Sequence, residues 1–195
     1  HQHQQLKSWC EEYGITYSTS VWDTTSAKEI NQLNPSLIKI PSACNLHWEM
    51  LNYLCENYSG EIHLSLGMTS QNEEREIIQF FTERQRNHDL VIYSCTSGYP
   101  VPFNDLCLYE ITRLKDQYQH HVKAIGFSGH HNGIAADIAA LTLGAQWIER
   151  HYTLNRTWKG TDHAASLEPY GLHKLIRDLH NTNAALNFKP SEILD

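Results

Sequence analysis

A chain of 195 residues, 41% hydrophobic and 19% charged, has the length of a single domain (residues 1–195) and enough apolar side chains to bury a sizeable core. Fifteen Lys and Arg against 22 Asp and Glu give a formal net charge of −7, an acidic balance that argues against non-specific binding to nucleic acid or an anionic membrane. No apolar run approaches the roughly 18 residues of a membrane span, and His1 to Gln5 lack the basic and apolar regions of a signal peptide. Five cysteines (Cys10, Cys44, Cys55, Cys95, Cys107) with no CxxC pair fit a reducing compartment, so the composition reads as a cytoplasmic globular domain.

Short β-prone runs alternate with longer helical stretches. Residues 16–22 are predicted as the first strand, followed by 37–40, 61–66, 90–95, 124–127 and 146–149. Their starts lie about 20–35 residues apart, the size of one βα unit. Between them, Ser70 followed by Glu73 and Glu74 opens a helix whose apolar face is Ile77, Ile78, Phe80 and Phe81. Residues 104–118 form another helix, and the alanine-rich 134–143 a third that stops before Gly144. About six such units in series make an α/β protein with a parallel sheet.

Two architectures fit that order. A doubly wound sheet usually carries a glycine-rich phosphate loop, and neither GxGxxG nor GxxxxGKS occurs. A TIM-type (β/α)8 barrel instead gathers its functional residues at the C-terminal ends of several strands. Polar residues finish nearly every predicted strand: Ser18-Thr19-Ser20, Lys39 and Ser42, Ser65, Thr96-Ser97, Ser128-Gly129-His130-His131, and His151. The expectation is therefore a barrel, but an incomplete one, since a full barrel takes about 250 residues.

Three features stand out from the residues alone. Lys39 interrupts the apolar strand Leu37-Ile38-Lys39-Ile40, and a lysine buried in a parallel strand needs either an anionic ligand or a structural carboxylate. His130 and His151 sit just beyond apolar strand runs, where neutral imidazoles could share a Mn, Fe or Zn ion or be ordinary polar residues at strand ends. Thr19, Ser42, Ser97 and Ser128 offer hydroxyls to phosphate or carboxylate oxygens, each a weak signal by itself. His131 should point away from His130, and Cys44 reads as an inert buried thiol.

Two long blocks give these residues a context. Trp147-Ile148-Glu149-Arg150-His151-Tyr152-Thr153-Leu154 and the run from Thr157-Trp158-Lys159-Gly160-Thr161-Asp162-His163 to Pro169 resemble the N-acylneuraminate (sialic acid) synthase family. Lys39-Ile40-Pro41-Ser42, Leu66-Gly67-Met68, Cys95-Thr96-Ser97-Gly98-Tyr99-Pro100 and Gly126-Phe127-Ser128-Gly129-His130 agree in order and spacing. The resemblance implies a condensation of phosphoenolpyruvate with an N-acylmannosamine, its 6-phosphate or a related N-acylhexosamine, releasing phosphate. It implies a divalent metal, Mn2+ or Mg2+, on His130 and His151, with Asp162 reaching it through water unless it is only a turn residue. Lys39, Thr19, Ser42, Ser97 and Ser128 would cradle phosphoenolpyruvate, and Tyr99 would touch substrate or merely pack a turn. Lys39, His130, His151 and Asp162 are the catalytic candidates.

The resemblance also implies that this chain corresponds to the family barrel without its first two strands and without the C-terminal antifreeze-like domain that completes a homodimer's site. Two open sheet edges should then aggregate or recruit another chain, and turnover by this chain alone should be little or none. Two departures bear on specificity: Pro41 to Asn45 holds no acid where the family has one, and Ser97 stands where asparagine is common. The alternative is a truncated or degenerate barrel that binds a sugar acid or a partner chain without turnover. A third reading, a metal-dependent sugar-phosphate aldolase or isomerase, shares the fold but not the 157–169 run.

Overall fold

The computed structural model describes residues 1–193 and contains one five-stranded sheet, wholly parallel, in the order β1-β2-β3-β4-β5. Its strands are β1 (Leu37–Ile40), β2 (Glu61–Ser65), β3 (Leu90–Cys95), β4 (Ala124–Gly129) and β5 (Trp147–Arg150). The helices are α1 (Gln2–Glu12), α2 (Thr24–Asn31), α3 (Trp48–Asn57), α4 (Gln71–Glu83), α5 (Tyr109–Tyr118), α6 (Ala135–Thr142) and α7 (Pro169–Ala185). Sequential parallel strands joined through helices, with every neighbour in chain order, are the winding of a (β/α) barrel and not of a doubly wound sheet, whose order reverses.

The expected six strands are five. Residues 16–22 run extended beside β1 but make a single bridge, Ser20 to Lys39, through Val21 N–H to the Lys39 carbonyl and Lys39 N–H to the Thr19 carbonyl. Only Tyr17 and Val21 of this polar run are buried, too little apolar surface to seat it as a strand.

Each strand alternates strictly between two environments. The outward series, Ile38, Ile40, Ile62, Leu64, Leu90, Ile92, Ile125 and Phe127, packs with Leu51, Leu54, Ile77, Phe81, Ile111 and Leu114 of the helices in one apolar core. The inward series is Lys39, His63 and Ser65, Val91, Tyr93 and Cys95, Ala124, Gly126 and Ser128, then Trp147 and Glu149. Its buried apolar side chains form a small cluster of Val91, Tyr93 and Ala124. The aliphatic half of each strand thus builds the fold, and the polar half lines a hollow.

Local signals place the helices. Ser70 caps α4 by accepting from Glu73 N–H while the Glu73 carboxylate accepts from Ser70 N–H. Asp23 and Ser26 form the same reciprocal pair at α2. Residues 104–118 divide into a 3-10 turn at Phe103–Asp105 and then α5, because Cys107 adopts a positive φ of 48° between them.

Candidate functional site

At the C-terminal ends of the strands the inward series opens into a cavity of about 550 Å3. Its lining includes Ser20, Lys39, Ser42, Ser97, Tyr99 and Ser128, together with Glu149, His130, His151 and Asp162. Eight of the nine candidates named from the sequence thus face one space. Thr19 does not. Ser20 is the residue in register with Lys39, so Ser20 shares its inward face and Thr19 turns to the other.

Lys39 is 8% exposed, and its ammonium is held on three sides. Glu149 Oε2 lies 3.2 Å away, the Ser65 hydroxyl accepts a hydrogen bond, and the Tyr93 ring centroid is 4.0 Å from Nζ. Glu149 accepts a second hydrogen bond from Ser128 Oγ at 2.7 Å. Burial lowers the Lys39 pKa against the opposing pull of Glu149. Burial also works against the Glu149 carboxylate, but Lys39 and Ser128 outweigh it and hold its pKa below the usual value. Below this pair, Tyr93 OH lies 2.7 Å from His63 Nδ1, His63 Nε2 lies 3.3 Å from Glu61, and Lys123 closes the chain at 2.8 Å from Glu61. Sequence reasoning missed Glu149. The available signal was an acid one step after the apolar Ile148, placed like Lys39 on a strand's inward face.

Two hydroxyls converge beside Gly67. A Cβ there would lie 2.6 Å from Ser42 Oγ and 2.7 Å from Ser97 Oγ, so only glycine leaves this space open. Gly67 N–H donates to Ser42 Oγ at 3.0 Å. Asn45, where the family pattern has an acid nearby, is buried and ties the loop after β1 to the loop after β2 through the Ser65 carbonyl at 3.0 Å and Thr69 Oγ1 at 2.6 Å. These groups form a hydroxyl-lined recess next to the Lys39 ammonium.

On the opposite wall the His130 and His151 ring centroids are 5.2 Å apart, with Tyr99 against both at 4.6 and 5.5 Å. His130 Nδ1 donates to the Thr96 carbonyl at 3.0 Å, which fixes the tautomer and leaves Nε2 with a free lone pair. Burial lowers the His130 pKa, favouring the neutral ring that a metal requires. Asp162 Oδ2 lies 3.7 Å from His151 Nδ1, on the solvent side of that ring. Among the described residues no three His, Cys, Asp or Glu side chains gather as a ligand set. Two imidazoles could hold an ion only in an open site, with water or substrate in the other positions. His131, as expected, turns away from this wall and is fully buried behind it, and Cys44 is buried outside the cavity, its pKa raised first by burial.

Comparison with known proteins decides the family. The NeuB family model matches residues 1–190. The chain belongs to the NeuB family. N-acetylneuraminate-9-phosphate synthases of Homo sapiens and Drosophila melanogaster are 32% and 33% identical to this NeuB chain, over 99% and 98% of its length. An N,N'-diacetyllegionaminic acid synthase of Campylobacter jejuni is 31% identical over 94% of it. The chain covers 52%, 49% and 54% of these relatives, about half their length. Among solved structures, a sialic acid synthetase from Leptospira borgpetersenii in complex with citrate superposes with a TM-score of 0.88 at 26% identity, covering 96% of this chain and 65% of that one. A truncated 3-deoxy-D-arabino-heptulosonate 7-phosphate synthase from Thermotoga maritima, 15% identical with a TM-score of 0.79 and coverage of 94% and 71%, shares the fold. The curled sheet is thus part of a TIM-type barrel. No described helix is long and apolar enough to cross a membrane.

Proposed function

We propose that the cavity is the phosphoenolpyruvate half of a nonulosonate synthase site, which condenses phosphoenolpyruvate with N-acetylmannosamine, its 6-phosphate or a related N-acylhexosamine. The observation that carries this reading is the convergence of Lys39, Ser42, Ser97, Ser128, His130 and His151 on one cavity at the strand ends. The relatives' printed activities, all synthases of sugar acids, point the same way.

Lys39 and the hydroxyls of Ser42 and Ser97 bind the phosphate and carboxylate, with Gly67 leaving room for them. Glu149, itself held by Ser128, keeps Lys39 in place. Of the charged side chains that face the cavity, Lys39 stands against Glu149 and Asp162, Arg150 being turned to the outer face of the sheet, so a polyanionic substrate arrives without a net counter-charge. A divalent ion, Mn2+ or Mg2+, held by His130 and His151 would supply that charge, polarise the sugar aldehyde and activate water. Asp162 would orient water beside His151, and Tyr99 would border the acceptor sugar. Phosphate then leaves with C–O cleavage. The five cysteines, all free, suit a cytoplasmic enzyme.

A second reading, binding without turnover, is favoured by Pro41 to Asn45, where no acid faces the cavity and Asn45 is engaged with Ser65 and Thr69. Phosphorus NMR separates the two readings. Phosphate release that requires both substrates and a divalent ion supports synthesis, whereas phosphoenolpyruvate that binds and persists supports the second reading.

A further inference from the structure

His130 and His151 lie one residue beyond the last hydrogen-bonded register pair, Gly129 with Arg150. The backbone ladder that fixes strand separation therefore stops just before the two imidazoles. What continues the connection lies on the reverse face of the sheet. Arg150, facing outward, donates through Nη2 to the His131 carbonyl at 2.6 Å and through Nη1 to the Gly133 carbonyl at 2.8 Å. The same guanidinium is paired with the Asp137 carboxylate in the first turn of α6. His131 Nε2 lies 3.3 Å from that carboxylate. His131 fits there because Gly129 has no side chain: a Cβ would stand 2.9 Å from its ring.

We propose that Asp137 and Arg150 are positioning residues, an ionic clamp on the outer face of the sheet that sets the separation of the His130 and His151 imidazoles on its inner face. The arrangement follows from strand alternation. His130 and His151 point into the cavity, so their neighbours His131 and Arg150 must point outward, and joining the outward pair fixes the inward one. Asp137 and His131 are fully buried, and the Arg150 side chain is 3% exposed. His131 Nδ1, Asp137 Oδ1 and Arg150 Nε have no protein partner. Apolar residues of similar volume would fill this space with less desolvation, so stability alone does not account for the cluster. A demand on geometry does.

The clamp matters to function through the reading of His130 and His151 as metal ligands, and the experiment separates the two ideas. Histidine labelled with 13C at Cε1 reports contacts between the His130, His151 and Tyr99 rings by NOE in the metal-free protein. Co2+ titration of the same samples reports the ligand pair. The variants are Asp137→Asn, Arg150→Lys, which keeps the charge but loses the two-pronged donor, and His151→Ala. Glu74→Gln, which breaks a different buried pair with Arg113, controls for general destabilisation. We expect the ring contacts to persist in wild type and Glu74→Gln and to be lost in Asp137→Asn and Arg150→Lys, with Co2+ affinity falling about 10–100-fold in those two. Should Asp137→Asn fail to fold, Arg150→Lys carries the test. Ring contacts retained in a folded clamp variant overturn the proposal, as does their equal loss in Glu74→Gln. If the contacts vanish in the clamp variants while wild type and His151→Ala bind Co2+ equally, the clamp stands and the ligand reading falls.

Discussion

Lys39 Nζ and Glu149 Oε2 meet at 3.2 Å although they stand on the first and last strands of the sheet. Four strand spacings of about 4.8 Å would hold β1 and β5 about 19 Å apart in a flat sheet, beyond the combined reach of the two side chains. Their contact therefore measures the curl of the sheet, and the curl creates the cavity. The same pair links fold and site, because it holds the ammonium where an anion would bind.

The first prediction concerns this pair as a source of stability. Glu149→Gln leaves the Lys39 ammonium without its counter-charge in the cavity floor. Loss of one partner of a fully buried pair costs about 3–5 kcal/mol. Here 38% of the Glu149 side chain is exposed, so solvent screens the pair and the expected loss is about 1–3 kcal/mol. Urea unfolding of Glu149→Gln, Lys39→Met and the double variant checks it. The double variant should be more stable than the sum of the single losses; strict additivity would show that the two groups do not interact.

The second prediction concerns pH. His63 is 2% exposed, and burial lowers its pKa despite the opposing Glu61 carboxylate. The unfolded chain therefore binds more protons as pH falls through about 6.5, so stability must fall as the solution is acidified from there toward the lower folded value. The slope has a ceiling of about 1.4 kcal/mol per pH unit for one group. Unfolding free energies at several pH values between about 7.5 and 5 should decline, and His63→Gln should flatten the decline. Identical slopes in both proteins would contradict this assignment.

The third prediction tests the recess beside Gly67. Gly67→Ala places a methyl group 2.6 Å from Ser42 Oγ and 2.7 Å from Ser97 Oγ, so both hydroxyls must move. Gly67 lies outside the positive-φ glycines, so the alanine introduces no backbone strain there. Stability should change by about 1 kcal/mol or less, while affinity for phosphoenolpyruvate drops about 10-fold or more. Calorimetric titration reads the affinity and thermal unfolding the stability. Unchanged affinity would remove Ser42 and Ser97 from the anion site.

Much of this was legible because one alternation does two jobs. In the strand at residues 90–95 the outward Leu90 and Ile92 mark a buried face, and the observed bounds coincide with the expected ones. Lys39 stands out because it interrupts the apolar run Leu37-Ile38-Lys39-Ile40, and it does so on the strand's inward face. What could not be read was distance across the hollow: nothing local in Trp147-Ile148-Glu149 tells that its acid meets a lysine from β1. The segment at 16–22 misled for the complementary reason. Its Thr, Tyr, Val and Trp favour extended backbone, but a strand also needs a continuous ladder, and here the pairing stops after Ser20. Thr19, expected to offer a hydroxyl to the substrate, therefore lies on the face opposite that of Ser20 and Lys39.

The fourth prediction concerns the imidazoles. Mn2+ should bind wild type weakly, since two protein donors leave an open site, and should bind more tightly when phosphoenolpyruvate is present. His151→Ala should lose binding, whereas His173→Ala, an exposed position on α7, should not change it. Electron paramagnetic resonance of free Mn2+ measures all three proteins. Equal binding by the three would rule out the site.

The most direct test of the account is calorimetric titration of phosphoenolpyruvate, in Mn2+, into wild type and Lys39→Met. Methionine keeps an unbranched apolar stem, one atom shorter, and removes the ammonium with its charge and its hydrogen bonds to Ser65 and Glu149. The account predicts saturable one-to-one binding by wild type and a loss of about 10-fold or more in Lys39→Met, since a charge-assisted hydrogen bond contributes about 1.5–3 kcal/mol. Equal affinity in the two proteins, or no binding by wild type, would contradict it.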